Sequence, residues 1–163
     1  MTEDEQRARI LEVAREWIST PFHDNASVKG VGVDCAHLLA AVAIESGVVE
    51  PFPIEHYSPQ FMLHRDEPLF ESYVRRFAHE ITECDAKPGD VVLYKIGRSY
   101  AHGAFVVEWP ERVIHAFLTF RKVAETHGFE ADLRGRPVKF FSLFGGAKWL
   151  ESSAAVASTT AIL

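Results

Sequence analysis

The first part of the chain places apolar and polar residues at helical spacing. Five apolar side chains recur at this spacing, which predicts an amphipathic helix over residues 3–19. Thr2 and Glu5 have the spacing of a capping box at its start, and Thr20-Pro21 is expected to end it. Residues 21–33 contain two glycines and are predicted to form a loop. The five apolar residues are Ile10, Val13, Ala14, Trp17 and Ile18.

A second apolar run predicts another helix, over Cys35 to Ser46. Asp34 is a favourable N-cap residue before it, and Gly47 is a favourable residue to end it. Residues 48–65 contain three prolines and are expected to be irregular, with one helical turn near Gln60. Residues 66–80 are predicted to form a surface helix.

The hydrophobic pattern changes to short strands in the second half of the chain. Lys87-Pro88-Gly89-Asp90 predicts a turn, followed by a strand over Val91–Lys95. Two further strands, His102–Glu108 and Arg112–Phe117, flank a short turn at Trp109-Pro110, and Val138–Leu143 forms another. Because helices come first and strands follow, the pattern predicts an α+β fold with an antiparallel sheet.

Length and composition predict one globular domain. We assign residues 1–150 to it, and expect residues 151–163, rich in Ala, Ser and Thr, to form a loose tail. The formal net charge of −6 argues against non-specific binding of nucleic acid or of a membrane surface. No apolar run has the length of a membrane-spanning helix. The polar N-terminal segment lacks the apolar part of a signal peptide, so we expect synthesis in the cytoplasm.

The chain has two cysteines, which are too few for a disulfide framework and are interpreted as free thiols. Cys35 is predicted at the first position of a helix, where the backbone dipole favours the thiolate. We therefore expect Cys35 to be richer in thiolate than Cys84, which lies in a polar segment. The alternative is that Cys35 is a small buried apolar residue, and the helix position alone leaves both open.

Two histidines lie on strands predicted to form a hairpin. His102 and His115 are expected to lie nearly opposite each other, so that their rings can hydrogen-bond. One imidazole could then act as a base while the other holds its tautomer and orientation. The alternative is a pair of buried core histidines. A zinc site formed by Cys35, His37, His102 and His115 is also conceivable, but the spacing is not that of a zinc finger, and we expect no metal or cofactor.

These residues, taken together, resemble the NlpC family of cell-wall peptidases, which belong to the papain-like cysteine hydrolases. The resemblance extends over roughly residues 8–143 and is strongest to the phage-tail branch. Each motif is weak alone, but all occur in order with suitable gaps. The segments that carry it are Ala14-Arg15-Glu16-Trp17-Ile18, Thr20-Pro21-Phe22-His23, Lys29-Gly30-Val31-Gly32-Val33-Asp34-Cys35, Pro88-Gly89-Asp90-Val91, Ala101-His102-Gly103-Ala104 and Ile114-His115-Ala116.

The resemblance implies a papain-like fold, with the cysteine helix packed on an antiparallel sheet, and a role for three residues. Cys35 matches the nucleophile, His102 the general base and His115 the third, polarising residue. The implied substrate is a peptidoglycan stem peptide, often cut at the γ-D-glutamyl–diamino acid bond, with no cofactor. The lack of a signal peptide fits a protein carried in a phage or prophage tail, with other tail proteins as partners.

The chain departs from the family pattern at three residues, Ala36, His37 and Phe22. The family commonly has Ser-Gly after the Asp34-Cys35 pair, where this chain has Ala36-His37. Phe22 stands where a tyrosine commonly lines the oxyanion site, and phenylalanine cannot donate a hydrogen bond. We expect His23 or backbone N–H groups at the start of the Asp34-capped helix to take that role. Two other functions stay open: a non-enzymatic tail-tip protein that retains the fold, and a thiol acyltransferase or amidase with a non-wall substrate.

Overall fold

The computed structural model describes residues 1–53 and 69–145, which form an α+β fold of helices packed on a six-stranded antiparallel sheet. The helices are α1 (Glu3–Glu16), α2 (Cys35–Glu45) and α3 (Leu69–Val74). The strands are β1 (Ser27–Val28), β2 (Gly32–Val33), β3 (His79–Ile81), β4 (Val91–Ile96), β5 (Ser99–Glu108), β6 (Arg112–Phe117), β7 (Lys122–Thr126) and β8 (Val138–Ser142). No helix in these ranges is long and apolar enough to cross a membrane.

The large sheet has the order β3-β8-β4-β5-β6-β7, and β1 and β2 form a separate hairpin. β5 pairs with β4 from Phe105 to Ser99, along almost its whole length. Its pairing with β6 is shorter, from Glu108 with Arg112 to Phe105 with Ile114. The start of β5 and the end of β6 therefore diverge, and this opening in the sheet is where the candidate site lies.

Each face of the sheet carries a buried apolar core, and the alternation of side chains along the strands divides the buried residues between the two faces. One face packs against α1 and α2, and this core includes Leu93, Phe105 and Ile114. The other face packs under the short helical turn Ala131–Leu133, and its core includes Val92, Tyr94, Ala104, Val106, Val113 and Phe117. His102 and His115 share the alternation of this second set. The histidine rings therefore lie on the face opposite the body of α2, whereas Cys35 Sγ, at the first residue of α2, meets the backbone of β5 beside His102.

Helix α2 is buried from Cys35 to Ala43, as expected for a helix that is apolar on all sides. Asp34 caps it, as predicted, by accepting a hydrogen bond from the His37 N–H at 2.9 Å. Leu39, one turn after Cys35, packs against β5 at Gly103. A Cβ at position 103 would lie 2.7 Å from a terminal methyl of Leu39, so only glycine permits this close approach.

A buried ion pair joins α1 to the turn before β4. Arg7 donates to the Asp90 carboxylate at 2.8 Å and to the Pro88 carbonyl oxygen at 3.0 Å. Asp90 is fully buried, and its second carboxylate oxygen accepts from the Lys87 N–H at 2.8 Å. The Lys87–Asp90 turn, predicted from its Pro-Gly-Asp sequence, is thus held from outside by α1.

Several predicted elements are confirmed, but others are wrong in extent or in type. The capping box at Thr2 is present, although α1 ends at Glu16 rather than at residue 19. The predicted surface helix over residues 66–80 is wrong beyond Val74, since His79–Ile81 pairs with β8 as an edge strand. The segment 21–33 contains the β1–β2 hairpin, and β7 was not predicted. The turn near Gln60 and the tail 151–163 lie outside the described residues.

Candidate active site

Cys35 is the first residue of α2, and its sulfur lies against the start of β5. Cys35 Sγ is 4.0 Å from the carbonyl oxygen of Ala101, and the backbone of Gly103 acts to lower the pKa of the thiol. Ala101 and Gly103 are the two neighbours of His102 in the chain. They belong to the part of β5 that is not paired with β6. Their backbone groups on that side therefore face the Cys35 sulfur and not a neighbouring strand.

His102 and His115 contact each other through their rings, as the hairpin register predicts. His102 Nε2 lies 2.9 Å from His115 Nδ1, and both side chains are buried. Tyr94 packs against His102 with a centroid distance of 5.6 Å, and Phe117 stacks on His115 with a centroid distance of 4.6 Å. These aromatic contacts hold both imidazole rings in place. Because His102 Nε2 contacts His115, Nδ1 is the other ring nitrogen of His102.

The polar contacts continue from His115 to Thr126, a residue that the sequence analysis did not identify. His115 Nε2 lies 2.9 Å from the Thr126 hydroxyl, and that hydroxyl donates to the carbonyl oxygen of His127 at 3.1 Å. Thr126 is the last residue of β7, which pairs His115 with Ala124. The β-branched Val123 and Thr126 were the available signal for this strand, but the intervening Ala124 and Glu125 have low strand propensity and obscured it.

Burial sets the protonation states of the site. It raises the pKa of the Cys35 thiol to about 12, with a further increase from the Asp34 carboxylate, although backbone N–H groups including that of Gly103 oppose the rise. Burial also lowers the pKa of His102 to about 4, and it lowers that of His115, as does the neighbouring His102. At neutral pH the resting site therefore holds a neutral thiol and neutral imidazoles. Burial therefore opposes the helix dipole, and the expectation that Cys35 is rich in thiolate stays a prediction that the labelling experiment below tests.

We predict that iodoacetamide at pH 7 labels Cys84 before Cys35. Cys84 is exposed, whereas Cys35 is 8% exposed and its raised pKa leaves little thiolate to react. The labelling rate of Cys35 should keep rising with pH up to about pH 12, because its thiolate fraction still grows there. Peptide mapping with mass spectrometry after limited labelling measures both rates. Faster labelling of Cys35 at pH 7 would contradict the buried neutral thiol.

The other predicted site residues surround Cys35 in different ways. Asp34 is buried and accepts from the Asn25 N–H at 2.7 Å and from the His37 ring at 2.8 Å. His37 is itself buried, so its side chain is a structural partner of the N-cap. His23 is exposed, and its N–H donates to the Val33 carbonyl oxygen at 3.0 Å. Phe22 is half-buried against the helical-side core, so its ring adds apolar surface there.

The zinc alternative can be compared with these positions. In residues 1–53 and 69–145, no group of three or more His, Cys, Asp or Glu side chains is placed to hold a metal ion. His37, one of the four residues of that alternative, is bonded to Asp34. The geometry therefore favours an arrangement of thiol and imidazole over a four-ligand site.

Comparison with protein-family models found no match, and comparison with curated proteins found none either. Solved structures of NlpC/p60 domains do match. The NlpC/p60 domain of the peptidoglycan hydrolase SagA aligns with a TM-score of 0.55 at 17% identity, over 82% of this chain and 96% of that one. NlpC1 from Trichomonas vaginalis aligns with a TM-score of 0.57 at 14% identity, over 86% of this chain. The aligned region is only 44% of the NlpC1 chain.

A third matching structure is described as non-catalytic. RipD from Mycobacterium tuberculosis, a non-catalytic NlpC/p60 domain protein with an adaptation to peptidoglycan binding, aligns with a TM-score of 0.55 at 11% identity. The alignment covers 85% of this chain and 98% of RipD. At such identities the likeness establishes a common fold, which confirms the predicted fold class. The shared fold includes both hydrolases and a binding protein.

Proposed function

We propose that this protein is a cysteine hydrolase that cleaves an amide bond in the stem peptides of peptidoglycan. The observation that carries the proposal is the position of Cys35 Sγ at a helix N-terminus, against the backbone on both sides of His102. His102 is in turn held by His115 at 2.9 Å. A thiol, a base and a group that orients the base are the components of covalent thiol catalysis. The fold shared with the peptidoglycan hydrolase SagA supports the choice of substrate.

The neutral resting state determines the first chemical step. As Cys35 Sγ attacks the amide carbonyl carbon, the thiol proton passes to His102 Nδ1, so no free thiolate has to exist in the buried site. The carbonyl oxygen takes the negative charge of the tetrahedral intermediate. The imidazolium of His102, stabilised by His115, then protonates the departing amine as the C–N bond breaks. A thioester between Cys35 and the acyl group remains.

The second half of the reaction releases the acyl group. Water attacks the thioester carbonyl while His102 Nδ1 accepts its proton, and collapse of the intermediate returns that proton to the sulfur. The backbone N–H groups of Cys35 and Ala36, at the start of α2, act to lower the pKa of the thiol and are our candidates for stabilising the oxyanion. They replace the side-chain donor that Phe22 cannot supply. The γ-D-glutamyl–diamino acid bond is the bond we propose, and association with a phage tail stays a prediction.

Digestion of purified peptidoglycan tests this function. We expect the protein to release peptide fragments in which mass spectrometry identifies a single type of cleaved bond, with a new carboxyl group on one side and a new amino group on the other. Cys35→Ala should release none, because it removes the nucleophile, and Cys84→Ala should match the unmodified protein, since Cys84 is exposed on a short turn. The function would be refuted if the unmodified protein released nothing, or if Cys35→Ala released as much.

A second function is favoured by the burial of Cys35 and by the structure of RipD. A thiol with a pKa of about 12 in a closed site is also compatible with a domain that binds peptidoglycan without cutting it. Co-sedimentation with insoluble peptidoglycan separates the two functions. Binding without fragment release would establish the binding protein, whereas fragment release that depends on Cys35 would establish the hydrolase.

A further inference from the structure

We propose that Thr126 is a positioning residue, whose hydroxyl fixes the tautomers of His115 and His102 so that His102 Nδ1 is the basic nitrogen. The inference rests on the proposed hydrolase function, and it adds a fourth member to the site. Thr126 lies at the end of β7, outside every motif that the sequence suggested. Thr126 contacts His115, and His115 contacts His102, so the effect of Thr126 on His102 is indirect.

The direction of the hydrogen bonds follows from counting protons. The His127 carbonyl oxygen can only accept, so the single hydroxyl proton of Thr126 is used on it, at 3.1 Å. Thr126 Oγ1 must then accept from His115 Nε2–H, at 2.9 Å. A neutral His115 has one ring proton, so its Nδ1 accepts from His102 Nε2–H, also at 2.9 Å. A neutral His102 is left with an unprotonated Nδ1.

The opposite direction would disable the base. If the Thr126 hydroxyl donated to His115 Nε2, then His115 Nδ1 would donate to His102 Nε2. The proton of His102 would sit on Nδ1, which could not accept the thiol proton from Cys35. The direction of the Thr126 hydrogen bond therefore decides whether His102 Nδ1 can accept a proton. Burial of both histidine rings keeps them in their neutral forms, so each ring carries one proton.

The turn after β7 is built to hold the accepting carbonyl. The His127 carbonyl oxygen also accepts the Glu130 N–H at 3.1 Å, and the His127 ring accepts the Phe129 N–H at 3.1 Å. The Gly128 N–H donates to the Pro110 carbonyl oxygen at 2.7 Å, which ties this turn to the β5–β6 hairpin. These backbone bonds fix the carbonyl beside Thr126, so the hydroxyl has a constant acceptor.

Long-range proton–nitrogen NMR correlations on ¹⁵N-histidine-labelled protein test the assignment. We expect the unmodified protein to show His115 protonated on Nε2 and His102 protonated on Nε2. Thr126→Val and Thr126→Ala should shift His115 toward the Nδ1–H form, and Thr126→Ser should retain the original pattern. Thr82→Val is the matched control, because Thr82 is exposed and bonds Asp85 instead. Protonation of His115 on Nδ1 in the unmodified protein would overturn the proposal.

Turnover of peptidoglycan gives a second readout. Thr126→Val should lower kcat by about tenfold with KM unchanged, since proton transfer and not substrate binding is affected, and Thr126→Ser should restore kcat. Unchanged kcat in Thr126→Val and Thr126→Ala would overturn the positioning role. If the unmodified protein does not cleave peptidoglycan, the proposed function fails, while the NMR spectra still decide which nitrogens Thr126 controls.

Discussion

His102→Ala is expected to reduce turnover of a defined stem peptide by on the order of 10³-fold, because it removes the group that takes and returns the thiol proton. His115→Ala should retain more activity than His102→Ala, since a base without its orienting partner can still accept a proton. The double variant should be little worse than His102→Ala alone, because residues that act as a unit are not additive. Steady-state kinetics of the three variants measures these losses.

Replacements that keep a hydrogen bond refine this prediction. His115→Asn or His115→Gln should lose less activity than His115→Ala, because either amide can accept a hydrogen bond from the His102 ring. His79→Ala is the matched control, since His79 lies on the edge strand β3, with β8 and β4 between it and β5. Circular dichroism should show that every variant is folded. Full turnover in folded His102→Ala would remove His102 from the mechanism, and full turnover in folded His115→Ala would remove the orienting role.

Asp90→Ala is expected to lower the free energy of unfolding by about 3 kcal/mol, because the buried Arg7 guanidinium loses its buried partner and keeps only the half-exposed Glu3 carboxylate, 2.8 Å from its Nε. The carboxylate of Asp90 also accepts the Lys87 N–H, so the turn before β4 loses a hydrogen bond as well. Urea unfolding at neutral pH measures the change.

Two other variants control the stability prediction. Asp85→Ala removes an exposed carboxylate that bonds only a surface hydroxyl in the described turn, and it should change the free energy of unfolding by less than about 0.5 kcal/mol. Arg7→Met combined with Asp90→Leu should cost less than the sum of the two single changes, since no unpaired buried charge remains. A loss below 1 kcal/mol in Asp90→Ala would show that the ion pair does not hold α1 to the sheet.

The local parts of the site could be predicted from sequence. Asp34 before an apolar run indicates a capped helix, and this places Cys35 at its first position. Strand alternation and a short hairpin turn bring His102 and His115 onto one face of the sheet. These inferences depend on residues near each other in the chain, or joined by one tight turn, so little tertiary information was needed.

The parts that the sequence did not predict depend on distant segments. The pKa of Cys35 is raised by burial against β5, a distant part of the chain, and the dipole argument took no account of it. Thr126 lies on β7, where only Val123 is fully buried, so the strand lacks the alternation of apolar and polar residues that would predict it. His79–Ile81 looked helical because its strand character comes from pairing with β8, far along the chain. Tertiary pairing overrode local preference in each case.

The missing side chain of Gly103 allows helix α2 to pack closely against β5. Leu39 contacts β5 where a Cβ at position 103 would be, and Leu93 lies 3.0 Å from that same point. Cys35 is one turn earlier than Leu39 on the same helix, so the contact between Leu39 and Gly103 also limits how closely the first turn of α2 approaches β5. A side chain at position 103 would force Leu39 or Leu93 to move. The glycine therefore sets the distance of closest approach between this helix and the central strand.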